Sequence, residues 1–398
     1  MQDNKANNNA KPRPKVGLIL TGGGARAAYQ VGVLRALSEL LPKDAHTPFQ
    51  IICGTSAGSI NATILAVDAP NFRHAVRRLV TVWKNFHVHH VYRADIFGAF
   101  LNSARWLLAA LSGGRLRKVS GGNQPVALLD NAPLAALLRK YVDLSAIQRS
   151  IDDGHLIALS IACSGYSSGQ SVSFYQGQPD LQNWQRARRI GVAMPITLDH
   201  LLASSALPFI FPPMRINREY FGDGSMRQIA PVSPALHLGA DRVLVIGVGR
   251  QLQPDAERIK SDAFPTLAQI AGHALNSIFL DSLEVDLERL QRINRTIELI
   301  PEAVRKQTNY PLHAVDFRVI SPSEELEKIA AEFAHELPRT IRMLLSTVGG
   351  TRKSGSNLLS YLLFEKSYCR ALIKLGYKDT MARKDDLLAF LGWNEPTA

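Results

Sequence analysis

Three short segments carry residue types and spacings that suit acyl-transfer chemistry. Gly54-Thr55-Ser56-Ala57-Gly58 reads G-x-S-x-G. A serine on a tight strand-to-helix turn is held in a strained conformation with its neighbours packed closely, and Gly54 and Gly58 let the backbone turn without a Cβ clash. A helix starting there adds N–H donors and a positive dipole end that favour a developing oxyanion. Gly22-Gly23-Gly24-Ala25-Arg26-Ala27 reads G-x-G-x-x-A. It has two uses: a dinucleotide fingerprint, or an oxyanion loop with the Gly23 and Gly24 N–H groups aimed at a tetrahedral intermediate. The fingerprint wants a carboxylate at the end of the second strand for a ribose, and Cys53-Gly54-Thr55-Ser56 supplies none. Arg26 either holds the loop or meets a phosphate. Gly222-Asp223-Gly224-Ser225 is a D-G turn behind an aromatic, proline-rich segment.

The flanking patterns place these segments in α/β order. Lys15–Leu20 is a short apolar run ending at glycines, as expected of a buried parallel strand. Ala25–Leu41 carries Tyr29, Val33, Leu34, Leu37 and Leu41 at helical spacing and stops at Pro42. Phe49–Cys53 reads as a second strand running into the serine turn, and Ser59–Val67 as the helix after it. Strands are expected at 156–162, 172–175 and 242–248, with hairpin character at 164–170. Thr197–Ala206 reads as a helix, and Pro208–Pro213 as rigid and extended. Beyond 250 the pattern turns helical: 266–294, 324–335, 338–345, 358–375 and 382–391, with strand-like runs at 296–300 and 315–320.

Taken together and in this order, the glycine loop, the G-x-S-x-G and the D-G motif resemble the patatin-like phospholipases, over roughly residues 16–250. The resemblance implies an α/β, three-layer hydrolase core with a mostly parallel sheet. It implies Ser56 as nucleophile and Asp223 as a base that takes the serine proton without histidine. The Gly22–Arg26 loop would be the oxyanion hole, with Gly22, Gly23, Gly24 and Arg26 as its members. The implied substrate is a lipid or phospholipid carboxylic ester, with no metal and no cofactor. The third motif departs from the family, with Ser225 where glycine or alanine is usual, and Ala27 closes the first motif in place of glycine. A free aspartate titrates about pH 3.9, a poor match to a hydroxyl, so this chemistry needs burial to raise Asp223 and hydrogen-bond reach to the serine. A histidine triad would need His237 or a later His273, His313 or His335 in chain order; His200 and His237, nearest the right regions, read as structural.

The whole chain sets the frame. With 46% hydrophobic and 20% charged residues its 398 residues build a large core, and net charge +12 favours anionic partners such as acidic lipid headgroups. Cys53, Cys163 and Cys369 are scattered, which argues against a disulfide framework and a zinc ribbon. Residues 1–14 read as a disordered polar tail, 15–250 as the hydrolase domain with a helical basic insertion at 70–155, and 251–398 as a helical C-terminal region. Neither a signal h-region nor a transmembrane run appears, so a cytoplasmic protein, peripheral at the membrane, is expected. The 95–111 segment is amphipathic with basic flanks and suits core packing or an interfacial helix. His87-Val88-His89-His90 lacks a companion carboxylate for metal, and Arg186–Arg189 reads as a solvated face or a contact for lipid phosphate. Two further readings are a catalytically silent membrane-associated regulator on the same fold and a nucleotide-binding α/β enzyme. Nucleic-acid binding finds no motif.

Overall fold

The structure is a computed structural model that describes residues 14–93, 127, 129–250, 264–307, 313–347 and 356–393. The amphipathic face expected at 95–111, the loop at 120–124 and the tail before residue 14 lie outside the described residues.

One sheet organises the molecule. Its strands are β1 (Val16–Leu20), β2 (Ile51–Thr55), β3 (Ala158–Gly165), β4 (Ser171–Gly177), β5 (Trp184–Arg186), β6 (Arg189–Ala193), β7 (Met214–Ile216), β8 (Glu219–Asp223), β9 (Arg242–Ile246) and β10 (Asp316–Ile320). The order is β10-β9-β1-β2-β3-β4-β6-β5, with β8 between β3 and β7 off this path. From β10 through β3 every pairing is parallel. β1 and β2 are buried along their whole length, which explains their continuous apolar runs. Their C-terminal ends lie side by side, Leu20 opposite Gly54, so the two glycine motifs leave the same edge of the sheet.

Helices cover the sheet. α1 (Ala28–Leu40) and α2 (Ala57–Val67) follow β1 and β2. α3 (Phe72–Lys84) buries Phe72, Val76, Leu79 and Trp83, one helical stripe, and the Asn71 side chain caps it by accepting from His74 N at 2.9 Å. α1 is buried nearly all round because the helix Lys366–Met381 lies on it. The two backbones touch through glycines: a Cβ on Gly32 would stand 2.2 Å from Ile373 O, and one on Gly376 2.2 Å from Tyr29 O. The region after 250 thus shares the main core, which runs from Val16 to Leu391, and supplies the edge strand β10.

Several local expectations change. Leu207–Phe211 is a turn rather than extended chain: Leu207 O accepts from both Ile210 N and Phe211 N, and Phe209 takes φ +65°. Residues 296–298 continue the helix Ser282–Glu298 instead of forming a strand, because Ile297 extends the buried stripe of Leu283, Leu287 and Leu290. The 266–294 pattern is helical as expected, but it passes through a π segment at Ser277–Asp281. The 358–375 pattern splits into Ser356–Leu362 and Lys366–Met381. The Arg186–Arg189 run turns the β5–β6 hairpin, with Arg188 at φ +57°. No helix among the described residues is long and apolar enough to cross a membrane.

Candidate active site

Ser56 sits between the last residue of β2 and the first of α2 at φ +54°, ψ −130°, where a side chain is strained. The turn is braced on both sides. Ser56 N donates to Ser204 Oγ at 2.9 Å, and Ser204 Oγ donates to Ala162 O at 2.7 Å. Ser56 O accepts from Ser59 N at 2.9 Å and Ser59 Oγ at 2.6 Å. Gly54 and Gly58 let the turn close: a Cβ on Gly58 would stand 2.3 Å from Leu20 O, and one on Gly54 2.5 Å from Ser59 Cα.

Asp223 ends β8, opposite Cys163 of β3, and is 0% exposed. Its N–H donates to Ala206 O at 3.0 Å, and its Oδ1 accepts from Ser225 N at 2.9 Å. Oδ2 is buried without a hydrogen-bond partner. Burial holds the carboxyl up to about 6, with the Ser56 hydroxyl beside it and Ser225 pulling it back down. The structure therefore brings Ser56 and Asp223 together across 167 positions of chain. Gly224 follows against the Ala162 carbonyl, and Thr55 Oγ1 donates to Gln228 Oε1 at 2.8 Å, tying the two motifs.

Ser225, the departure in the third motif, lies against the first motif and against Asp223 of its own. A Cβ on Gly22 would lie 2.5 Å from Ser225 Oγ, and Ser225 lowers the Asp223 pKa. Ser225→Ala is expected to move the acid limb of the kcat/KM–pH profile to higher pH, with the plateau rate little changed. A pH–rate series on both proteins checks this.

Gly22, Gly23 and Gly24 pass from β1 into a short turn of 3-10 helix at Gly24–Ala27. Gly24 lines the same cavity as Ser56. Among the described residues neither the Gly23 nor the Gly24 N–H is taken by a protein acceptor. Arg26 is placed differently from its expected part in the oxyanion hole. Its N–H is committed to Gly23 O at 3.1 Å, and its guanidinium is 1% exposed and turned into the C-terminal helices, away from the cavity. Of its two readings, holding the loop is the one the contacts support.

No histidine contacts Ser56 or Asp223 among the described residues. His200 packs edge-on against Phe174 and accepts from Thr197 N through Nδ1, and burial pushes it down to about 4. His237 lies against Trp184, and burial with Arg186 and Arg189 nearby pushes it to about 4 as well. His273, His313 and His335 are exposed. His87 Nδ1 meets Glu365 Oε2 at 2.7 Å, a carboxylate partner remote in sequence, yet no group of three or more metal-ligating side chains forms among the described residues. The three cysteines are free and buried.

The cavity beside Ser56 is apolar. Ile60 and Ile64 of α2, Val82 and Trp83 of α3, Phe86, Leu134 and Leu138 of the helix Ala132–Tyr141, Phe211 and Phe364 line it. The bracing by Ser204, the contacts of Ser225 and this lining escaped the sequence reading. The one available signal was the i, i+4 spacing of Ile60 and Ile64 behind the serine.

The family described as patatin-like phospholipase matches residues 18–236, more than half of the chain. Residues of the chain are 36% identical over 104 positions to lysophospholipase NTE1 of Coccidioides immitis, covering 22% of this chain and 6% of that protein. They are 29% identical over 220 positions to a cGAMP-activated phospholipase of Pseudomonas aeruginosa, covering 55% of each. The chain thus spans a small part of the fungal relatives and about half of the bacterial one. Among solved structures, human GIVD cytosolic phospholipase A2 in complex with methyl gamma-linolenyl fluorophosphonate aligns with TM-score 0.43 and 14% identity, over 95% of this chain and 58% of that one. On its matched span and its three ordered motifs, the chain belongs to the patatin-like phospholipase family.

Proposed function

We propose that the protein is a serine acyl hydrolase acting on carboxylic esters of lipids, with a phospholipid or lysophospholipid as substrate. The observation that carries this is the strained Ser56, beside a buried carboxyl of raised pKa, in the lining of an apolar cavity. Asp223 Oδ2 takes the Ser56 proton as Oγ attacks the ester carbonyl. The Gly23 and Gly24 N–H groups and the N-terminus of α2 receive the oxyanion. Collapse of the intermediate releases the alcohol or lysolipid, protonated by Asp223, and leaves the acyl group on Ser56. Water, deprotonated by Asp223, then frees the fatty acid. The relatives' names, lysophospholipase and phospholipase, agree with this substrate class.

The decisive experiment combines turnover with covalent trapping. The protein should hydrolyse a p-nitrophenyl acyl ester and phospholipid vesicles, and an alkyl fluorophosphonate should inactivate it by modifying Ser56, read by peptide mass spectrometry. Modification elsewhere with loss of activity, or turnover insensitive to the reagent, would sink the proposal.

The cavity makes a second expectation. Ile60 and Ile64 lie one and two helical turns beyond Ser56, roughly 6 and 12 Å along α2. Each acyl methylene buried there adds about 0.8 kcal/mol. Ile64→Trp should leave butyrate ester hydrolysis near wild type and cut kcat/KM for long-chain esters at least about tenfold. A chain-length series of p-nitrophenyl esters reads this directly.

A further inference from the structure

The glycine loop is gripped from behind by parts of the chain that no motif includes. Arg26 Nε donates to Ser360 Oγ at 2.8 Å and Nη2 to Asn357 Oδ1 at 2.6 Å. Nη1 donates to Tyr361 OH at 3.3 Å and Asn276 Oδ1 at 3.4 Å, Glu327 stands 3.6 Å from Nη2, and the guanidinium lies 4.1 Å from the Tyr361 ring centroid. Gly24, at φ +55°, rests on the same segment: a Cβ there would come within 2.3 Å of Tyr361 O. A buried cation with this many fixed acceptors is held in one place, and only a planar fork reaches them in three directions at once.

The backbone carries that fixity to the site. Arg26 N–H holds Gly23 O at 3.1 Å. In a trans peptide the C=O and N–H of one plane point in opposite directions. Anchoring Gly23 O therefore aims the Gly24 N–H the other way, and Gly24 lines the cavity with Ser56.

We propose that Arg26 is a positioning residue: fastened to Asn357, Ser360 and Tyr361, it sets the direction of the Gly23–Gly24 peptide at the oxyanion site. The helix Ser356–Leu362 is thereby part of the active-site frame, and its continuation places Phe364 in the cavity wall. This rests on the reading of the glycine loop as the oxyanion site.

The test uses the full chain with Arg26→Lys, Asn357→Ala and Tyr361→Phe, assayed on p-nitrophenyl butyrate beside thermal melting. Misplacing a stabilising donor by about 1 Å costs on the order of 10²-fold. Arg26→Lys is expected to lower kcat about that much and Asn357→Ala about tenfold, with KM within twofold and the acid limb of the pH profile unmoved. A folded Arg26→Lys with wild-type kcat, or a loss confined to KM, would overturn the proposal. Should Arg26→Lys fail to fold, Asn357→Ala decides alone, since Asn357 is half-buried on a helix where alanine is favourable; unchanged kcat there overturns it. Turnover surviving in Ser56→Ala would instead bring down the hydrolase reading, whatever these three variants do.

Discussion

Ser56→Ala should lose at least about 10⁴-fold of kcat while keeping the fold. The two hydroxyls bonded to the Ser56 backbone are already engaged: Ser204 and Ser59 are spent on backbone acceptors, at Ala162 O and Ser56 O. The residual rate would come from binding and the oxyanion donors alone. The strained backbone gives a companion result. Ser56 occupies φ +54°, a conformation in which any Cβ is costly and glycine is not. Ser56→Gly should be as inactive as Ser56→Ala but more stable than it, by about 1 kcal/mol or more. Initial rates over a thousandfold range of enzyme concentration, with chemical denaturation of all three proteins, check both statements. Equal stability of the two variants would mean that the turn imposes no strain and that the serine is not held for reaction.

Much of this arrangement was legible in the sequence because it is local. The runs Val16–Leu20 and Ile51–Thr55 are apolar on both faces, and the glycines that follow them mark turns, so two parallel strands and their helices could be read without tertiary knowledge. The order of three motifs then pointed to the family. What stayed hidden depends on distant chain. Asp223 is poised by burial, and burial is set by β3, Ala206 and Ser225 together. Arg26 meets partners 250 to 335 positions away, so nothing near it distinguished a clamp from a phosphate ligand. Thr296–Ile300 has strand-forming residue types, but Ile297 is buried on the helix whose Leu283, Leu287 and Leu290 pack on the sheet, and packing outweighs propensity there. Pro208–Pro213 looked extended because proline restricts its neighbours, yet the Leu207 carbonyl closes a turn that swings Phe211 into the cavity.

Asp223→Asn should be both inactive and more stable than wild type at neutral pH, and the second half follows from the first observation about its environment. The folded pKa is raised to about 6 by burial, whereas the unfolded chain titrates near 3.8. Between those values the native state binds more protons than the unfolded state, so stability falls as pH rises through this window. Two pKa units correspond to about 3 kcal/mol, all of it lost above pH 6 and none below pH 4. Asparagine carries no charge to bury, and its amide can donate toward Ser56 Oγ from the position of the unpartnered Oδ2. The variant should therefore melt higher than wild type at pH 7–8 and match it at pH 4. His200 and His237, pushed down to about 4, work in the opposite direction as the medium acidifies, but they act equally in both proteins and cancel in the comparison. Activity separates along the same axis. Wild-type kcat/KM should rise tenfold per pH unit up to about 6 and then level, while the variant stays about 10²–10⁴ lower at every pH above that, since no histidine among the described residues contacts the serine. A pH series of melting and rate measurements on the pair decides it: a variant no more stable than wild type at pH 8 would mean that Asp223 is ionised at no cost, and a carboxylate so comfortable could not serve as the base for Ser56.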